Sequence, residues 1–227
     1  MAKNANSSSL LRRVLRRDWE VFLFLAIGSL LLVSLQLIGD MPDAKGQYPL
    51  VHDLVEALDL WRSKVIPVLH PLFLFAAACH LLLPLSTRLR RFLVDIFAIW
   101  FALRIADMFL LINLLVFLRM PDHGQLILQL LIFLACLLLM WGWIYWRVDI
   151  GSRIATGKGI FDFKLPDGAS PTIYDYFLVS FTSLISSTLN GFSGKTRTAR
   201  TLIFVHGVMM WDAMGLMLSR AIALVSS

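Results

Sequence analysis

Long apolar stretches separated by short polar connections make up most of this chain. Four of them, at about residues 19–38, 65–85, 92–118 and 125–146, approach or exceed the roughly 20 residues that a helix needs to cross about 30 Å of hydrocarbon. A fifth, at about 200–225, is less purely apolar. The pattern predicts an all-α integral membrane protein with about five transmembrane helices.

One further apolar run is too short to cross. It begins with "TIYD" (172–175), where an acid follows a threonine by three residues, a spacing that starts helices. The run allows only about 14 helical residues, roughly 21 Å at 1.5 Å per residue. We expect a re-entrant half-helix that turns back, because non-helical backbone at membrane depth persists only inside protein or along a water-filled cavity.

These features predict two regions. An N-terminal transmembrane helical region covers residues 1–150. Residues 151–227 have the outline of a pore loop, with a loop, a re-entrant helix, a filter-like turn and an inner helix. One chain supplies a single loop of this kind, so a pore would have to lie between copies of the chain.

Composition and charge favour the same class. Hydrophobic residues make up 58% of the chain and charged residues 16%, so the bilayer is the expected solvent. The net charge is +6, but the basic residues cluster at the ends of apolar stretches, and we expect no nucleic-acid partner.

Cys79 and Cys136 lie inside apolar stretches and are expected to pack against neighbouring side chains. The aromatic residues that end the fourth stretch are expected in an interfacial belt: Trp141, Trp143, Tyr145 and Trp146.

The basic residues also predict an orientation, since positively charged loops stay in the cytoplasm. Four arginines precede the first stretch: Arg12, Arg13, Arg16 and Arg17. We therefore expect a cytoplasmic N-terminus. Four crossings then return residues 147–172 to the cytoplasm, so the re-entrant helix would enter from that side.

The segment "SFTSLISSTLNG" (180–191) resembles the pore of small bacterial members of the potassium-channel superfamily. The matching positions are Ser180, Phe181, Leu184, Ala199, Arg200 and Arg220, with serines for threonines at 183 and 186. The likeness covers about residues 160–222, whereas the first 150 residues share only hydropathy. It implies an ion-channel-like protein of the bacterial inner membrane, a homo-oligomer with a tetramer favoured, which contacts lipids and passes a monovalent cation without a cofactor.

The filter itself departs from that family. A potassium filter aims carbonyl groups inward, and its two glycines adopt backbone conformations closed to residues with a Cβ. Thr188 and Asn190 stand at those places, so the turn cannot reproduce that filter. The predicted constriction consists of Ser186, Ser187, Thr188, Leu189, Asn190 and Gly191. Its hydroxyl and amide groups suit a hydrated ion, and the carbonyl end of the preceding helix favours cations, so we expect weakly selective cation permeation.

The last helix carries four further candidates. Asp212 lies midway along it, and an intramembrane acid rarely faces lipid. We expect Asp212 either to form a cation-attracting ring or to pair with His206 or with a backbone group. Gly207 and Gly215 are either gating hinges or small residues that allow close helix contact.

Charged residues and histidines elsewhere favour structural roles. Arg104 and Asp107, three residues apart, are expected to form an intramembrane ion pair, since a voltage sensor would need a ladder of arginines. Haem ligation by His70, His80 or His206 is the alternative to ordinary packing, and packing is preferred. We expect no metal site.

Several alternatives stay open. The family's pore loop enters from outside the cell, so either this pore is inverted, as in glutamate-receptor channels, or one helix assignment is wrong. A non-conducting membrane scaffold or accessory subunit derived from a channel fold is the alternative function. "GFSG" (191–194) is similar to a motif of intramembrane proteases, but basic residues follow it, and no set of catalytic groups supports an enzyme.

Overall fold

The computed structural model describes residues 3–38, 49–83, 86–117, 123–165, 169–185 and 191–225. These residues form seven α-helices, joined by turns, one π-helical turn and two short strands. The helices are α1 Lys3–Ile38, α2 Pro49–Leu60, α3 Ile66–Leu82, α4 Thr87–Phe117, α5 His123–Thr156, α6 Ile173–Thr182 and α7 Arg197–Val225. The π-helical turn Trp61–Val65 joins α2 to α3, and the strands are β1 Phe161–Phe163 and β2 Phe192–Gly194.

Four helical segments in the described part of the chain are long and apolar enough to cross a membrane. They are Asp18–Gln36, His52–Leu82, Gly124–Thr156 and Arg197–Ser219. The predicted helical class is therefore confirmed. α4, which contains the predicted span at 92–118, is not among the four, so a total of five spans stays a prediction.

Contacts divide the chain into two compact units, Met1–Met120 and Pro121–Ser227. The predicted boundary lay after residue 150, where the polar connection begins. α5 belongs instead to the second unit, because α6 and α7 both pack against it.

In the first unit, α1 packs against α3 and α4. The rings of Phe24 and Phe101 stack with their centroids 5.8 Å apart. A Cβ at Gly28 would lie 2.5 Å from the Leu74 side chain, so the glycine allows α3 to lie close to α1. The close approach brings His70 within hydrogen-bonding distance of α1, and its Nε2 donates a hydrogen bond of 2.8 Å to the carbonyl of Gly28.

In the second unit, two short strands tie distant connections together. β1 and β2 pair antiparallel, with Phe161 opposite Gly194 and Phe163 opposite Phe192. β1 follows α5, and β2 leads into α7. The pairing therefore closes a loop that contains α6.

α6 begins where the sequence predicted. The backbone N–H and the hydroxyl of Thr172 each donate to the Asp175 carboxylate at 2.7 Å, and the N–H of Asp175 donates to the carbonyl of Thr172 at 3.1 Å. This capping box satisfies amides that a helix start otherwise leaves without partners. α6 ends after 10 residues, and a turn at Ser183, Leu184 and Ile185 follows.

Candidate functional site

The candidate site lies in the second unit, around one face of α5. Trp141, Tyr145, Asp149 and Arg153 follow one another at intervals of four residues, so they lie along one side of the helix. The first three are buried, and the side chain of Arg153 is 32% exposed. This face meets α6, both strands and α7.

Asp149 is fully buried and lies on this face near the C-terminal end of α5. Its Oδ1 accepts hydrogen bonds from the backbone N–H groups of Ile160 at 2.6 Å and Phe161 at 3.1 Å. Its Oδ2 accepts from Tyr176 Oη at 2.6 Å and from Arg153 Nε at 2.7 Å. An ionised carboxylate offers about four acceptor positions, so the charge is compensated although no water reaches it.

Two glycines shape the loop that wraps around this carboxylate. Gly157 ends α5 with φ +73°, a conformation that favours glycine, and its N–H donates to the carbonyl of Arg153 at 2.9 Å. A Cβ at Gly159 would lie 2.5 Å from the Arg153 guanidinium and 2.8 Å from the Asp149 carboxylate. Gly159 thus lets the backbone pass close enough for the next two amides to reach Asp149.

Tyr176 connects α6 to the same carboxylate. Burial, followed by the hydrogen bond to Asp149, raises the pKa of the Tyr176 phenol above its ordinary value. The phenol therefore keeps its proton and acts as the donor in this bond. The first turn of α6 is in this way joined to the C-terminal part of α5.

Farther along, α6 contacts α5 closer to the middle of that helix. Ser180 is buried, and its hydroxyl donates to the carbonyl of Leu138 at 2.7 Å. A Cβ at Gly142 would lie 2.7 Å from the ring of Phe177. Leu138 precedes Asp149 by 11 positions, which corresponds to about 16 Å along a helix. α6 therefore runs antiparallel to α5.

By residue 191, the chain is again at the Asp149 end of α5, where α6 began. The carbonyl of Gly191, a residue with φ +88°, accepts a hydrogen bond of 2.8 Å from the N–H of Lys164. β2 follows and pairs with β1, which begins at Phe161, one of the residues bound to Asp149. Both ends of the segment 173–191 therefore lie at the Asp149 end of α5.

Of the predicted constriction, the structure describes only its last residue. Ser186, Ser187, Thr188, Leu189 and Asn190 lie outside the described residues. Gly191 is described, and the structure places it beside the strand pair rather than at the far end of α6.

An aromatic cluster packs the inner side of the strands. The rings of Phe161 and Phe192 lie 4.9 Å apart, and Tyr145 contacts both, at 5.2 Å and 5.4 Å between centroids. Trp141, Trp143 and Tyr145 are 6%, 6% and 0% exposed, so the expectation that these three lie in an interfacial belt is wrong. They are covered because α6, α7 and the strands fold over α5.

His206 joins α7 to this cluster. Its Nδ1 lies 2.9 Å from Tyr145 Oη, and its ring stacks on Trp141 with centroids 4.9 Å apart. His206 is 1% exposed, and its Nε2 has no hydrogen-bond partner among the described residues. The structure thus gives His206 a hydrogen bond to Tyr145, whereas Asp212 was one of the partners considered for it from the sequence.

The other candidates on α7 lie toward its outer side. Gly207 and Gly215 are exposed, and a Cβ at either would meet nothing within 4 Å. Neither glycine supports a close helix contact within the described part of one chain. Asp212 is half-buried.

In the first unit, Arg104 donates to Asp107, as predicted. Their side chains are 5% and 10% exposed, so the pair is enclosed by the helices of that unit. His70 is bound to the Gly28 carbonyl, and the ring of His80 packs edge-on against Phe97. In the ranges that the structure describes, no group of three or more His, Cys, Asp or Glu residues can hold a metal ion.

The sequence interpretation did not single out Asp149 or Tyr176. The only local signal was an acid in the same four-residue register as Trp141 and Tyr145, near the end of an apolar helix.

Comparison with protein families, with curated proteins and with solved structures finds no match for this chain.

Proposed function

We propose that this chain is an integral membrane protein that forms a weakly cation-selective pore as an oligomer, with four copies favoured. Five segments cross the membrane in this proposal: α1, α2 together with α3, α4, α5 and α7. α6 is a re-entrant half-helix, and residues 186–191 form the constriction. Because each chain has a single α6, the permeation path lies between copies.

The observation that carries the proposal is the path of the segment 173–191. Tyr176 binds Asp149 near the start of the segment, and Gly191 binds Lys164 at its end. Ser180, between them, reaches Leu138 in the middle of α5. Because α5 is apolar and long enough to cross a membrane, a segment that runs partway along it and returns has the form of a pore loop.

Charge supports entry from the cytoplasmic side. Basic residues gather at the Asp149 end of α5, in its last turn, in the connections and in the first turn of α7: Arg153, Lys158, Lys164, Lys195, Arg197 and Arg200. Positively charged loops stay in the cytoplasm. The pore is then inverted relative to that of potassium channels.

Two features favour cations over anions. The carbonyl end of α6 carries about half a negative charge, and it points away from the cytoplasmic end of α5. Asp212 on α7 adds a carboxylate, which is half-buried in one chain and would repeat in every copy of a ring. Both would attract cations in a medium of low dielectric constant.

A second candidate is a non-conducting membrane scaffold or accessory subunit. Phe192 favours it, because this residue follows directly after the constriction and is 7% exposed within an aromatic cluster. The end of the turn is thus packed against the same chain. Such packing suits a loop whose role is structural.

Current recording from the purified full-length protein in planar bilayers separates the two functions. We expect cation currents with similar permeability to potassium and sodium, because the constriction lacks the two filter glycines. Asp212→Asn should lower cation conductance severalfold, since each copy loses one charge. The matched control is Asp162→Asn, because the Asp162 side chain is 57% exposed in a surface ion pair.

Silence in all monovalent cations from a folded oligomer would reject permeation and favour the scaffold. Equal loss of current in both variants would reject the assigned role of Asp212.

A further inference from the structure

A cavity of about 190 Å³ lies in the first unit, between the start of the apolar part of α1 and the start of α4. The residues used in the proposed pore belong to the second unit. The polar lining of the cavity consists of Asp18, Glu20, Thr87, Arg90 and Arg91. A volume below the roughly 300 Å³ of a typical ligand pocket suits a small polar group rather than a whole apolar molecule.

The charges in this cavity are balanced and paired. Arg90 binds Asp18, and Arg91 Nη1 lies 3.1 Å from Glu20 Oε2. Asp18 and Glu20 are only 6% and 9% exposed, whereas the Arg91 side chain is 49% exposed. A free anion would meet two carboxylates here, and a free cation would meet two guanidinium groups. A group that carries both charges matches the lining best.

The position of the cavity points to a lipid. The apolar span of α1 begins at Asp18, where the helix is interrupted by φ −118° and ψ 16°. Val21 and Val94 line the cavity beside the charged groups. Arginines precede Asp18, and others begin α4, so in the proposed orientation this is the cytoplasmic headgroup level. An apolar wall next to balanced charges is what a headgroup joined to acyl chains requires.

We propose that the cavity binds the phosphoethanolamine headgroup of a zwitterionic membrane lipid. Arg91 and the Thr87 hydroxyl donate hydrogen bonds to the phosphate. Glu20 accepts a hydrogen bond from the primary ammonium group. Opening the Arg91–Glu20 bond leaves neither group without a partner, because the phosphate then binds Arg91 and the ammonium group binds Glu20.

This chemistry distinguishes the common headgroups. A choline headgroup has the same charges but no N–H to donate to Glu20. A glycerol headgroup has the phosphate but no positive charge, so the carboxylates would repel it. Only a primary ammonium joined to a phosphodiester satisfies both sides of the cavity.

Native mass spectrometry of the full-length protein from detergent tests this proposal. Phosphatidylethanolamine, phosphatidylcholine and phosphatidylglycerol with identical acyl chains are added in turn, and retained lipid is counted. We expect about tenfold greater retention of the ethanolamine lipid, as one charge-assisted hydrogen bond supplies. Glu20→Gln should reduce that preference, because it weakens the acceptor for the ammonium group. Thr87→Val should lower the retention of all three lipids, because its hydroxyl contacts the phosphate that they share. The matched controls are Glu56→Gln and Arg88→Gln, because both residues are exposed outside the cavity.

Equal retention of the ethanolamine and choline lipids would overturn the proposal. An unchanged preference in Glu20→Gln together with unchanged lipid retention in Thr87→Val would also overturn it. Thr87→Val breaks no ion pair, so it keeps the test valid if Glu20→Gln fails to fold. Soluble glycerophosphoethanolamine serves as a competitor. Binding of this compound to a protein that retains none of the three lipids would assign the cavity to a water-soluble molecule and reject the lipid.

Discussion

The carboxylate of Asp149 accepts four hydrogen bonds, from two backbone amides, a phenol and a guanidinium. Its partners belong to α5, to the loop before β1, to the first residue of β1 and to α6. A buried acid with such a set of donors is stable only while all of them remain in place. Asp149 therefore fixes the position of α6, although it takes no part in the predicted constriction.

At this scale, Asp149→Asn tests the role of the carboxylate. The amide nitrogen cannot accept a hydrogen bond and would face donors, so we expect a loss of about 3 kcal/mol in the free energy of unfolding. Asp162→Asn removes the same charge from an exposed pair with Lys195 and should cost about 0–1 kcal/mol. Unfolding in mixed micelles measures both. Equal, small losses would contradict the assigned role.

At the scale of elements, the contact between α5 and α6 depends on Gly142. The Phe177 ring occupies the space where a Cβ at Gly142 would lie. Ser180 and Tyr176 add hydrogen bonds to α5 on either side of this contact. α6 is too short to be stable by itself, because isolated helices under about 12 residues are marginal in water. Its position therefore comes from packing against α5.

Two glycine substitutions on α5 form a matched pair for this contact. Gly142→Ala forces Phe177 to move and should destabilise the protein by about 1–3 kcal/mol. Gly151→Ala adds a methyl group that meets nothing within 4 Å, so it should stabilise by about 0.5–1 kcal/mol through helix propensity. The free energy of unfolding distinguishes them. A stabilising effect of both alanines would show that α6 is not held at this point.

At the scale of the whole molecule, the proposal requires an odd number of crossings. With the N-terminus in the cytoplasm, five spans place the C-terminus outside. The connections around α6 then share the cytoplasmic side with the N-terminus. The proposed arrangement rests on charge and helix length together: basic loops are expected to stay inside, and each long apolar helix is expected to cross once.

Cysteine labelling tests this orientation. In a background with Cys79→Ala and Cys136→Ala, we introduce Lys158→Cys in an exposed loop or Ser227→Cys at the C-terminus. A membrane-impermeant maleimide on intact cells should label the C-terminal cysteine and should reach position 158 only after permeabilisation. The reverse result would reject the cytoplasmic entry of α6. Labelling of both sites on intact cells would place them on the same side of the membrane, so α7 would not cross it.

Local features of the fold followed from neighbouring residues. The start of α6 was predicted from Thr172 and Asp175, and the Arg104–Asp107 pair from a three-residue spacing. The burial of Trp141 and Tyr145 was not, because an aromatic helix end looks the same whether it faces a headgroup or another helix. Asp149 was missed for a related reason: two of its donors are backbone amides, which every residue has.

By itself, the sequence determined the helical class, most of the long apolar segments and the short helix before the last one. These properties depend on hydropathy and spacing over a few turns of chain. Only the tertiary structure decided that β1 pairs with β2, that Tyr145 rather than Asp212 meets His206, and that residue 191 lies beside residue 164. Such contacts depend on which helix faces meet, and an apolar pattern with a period of 3.6 residues does not specify the partner of each face.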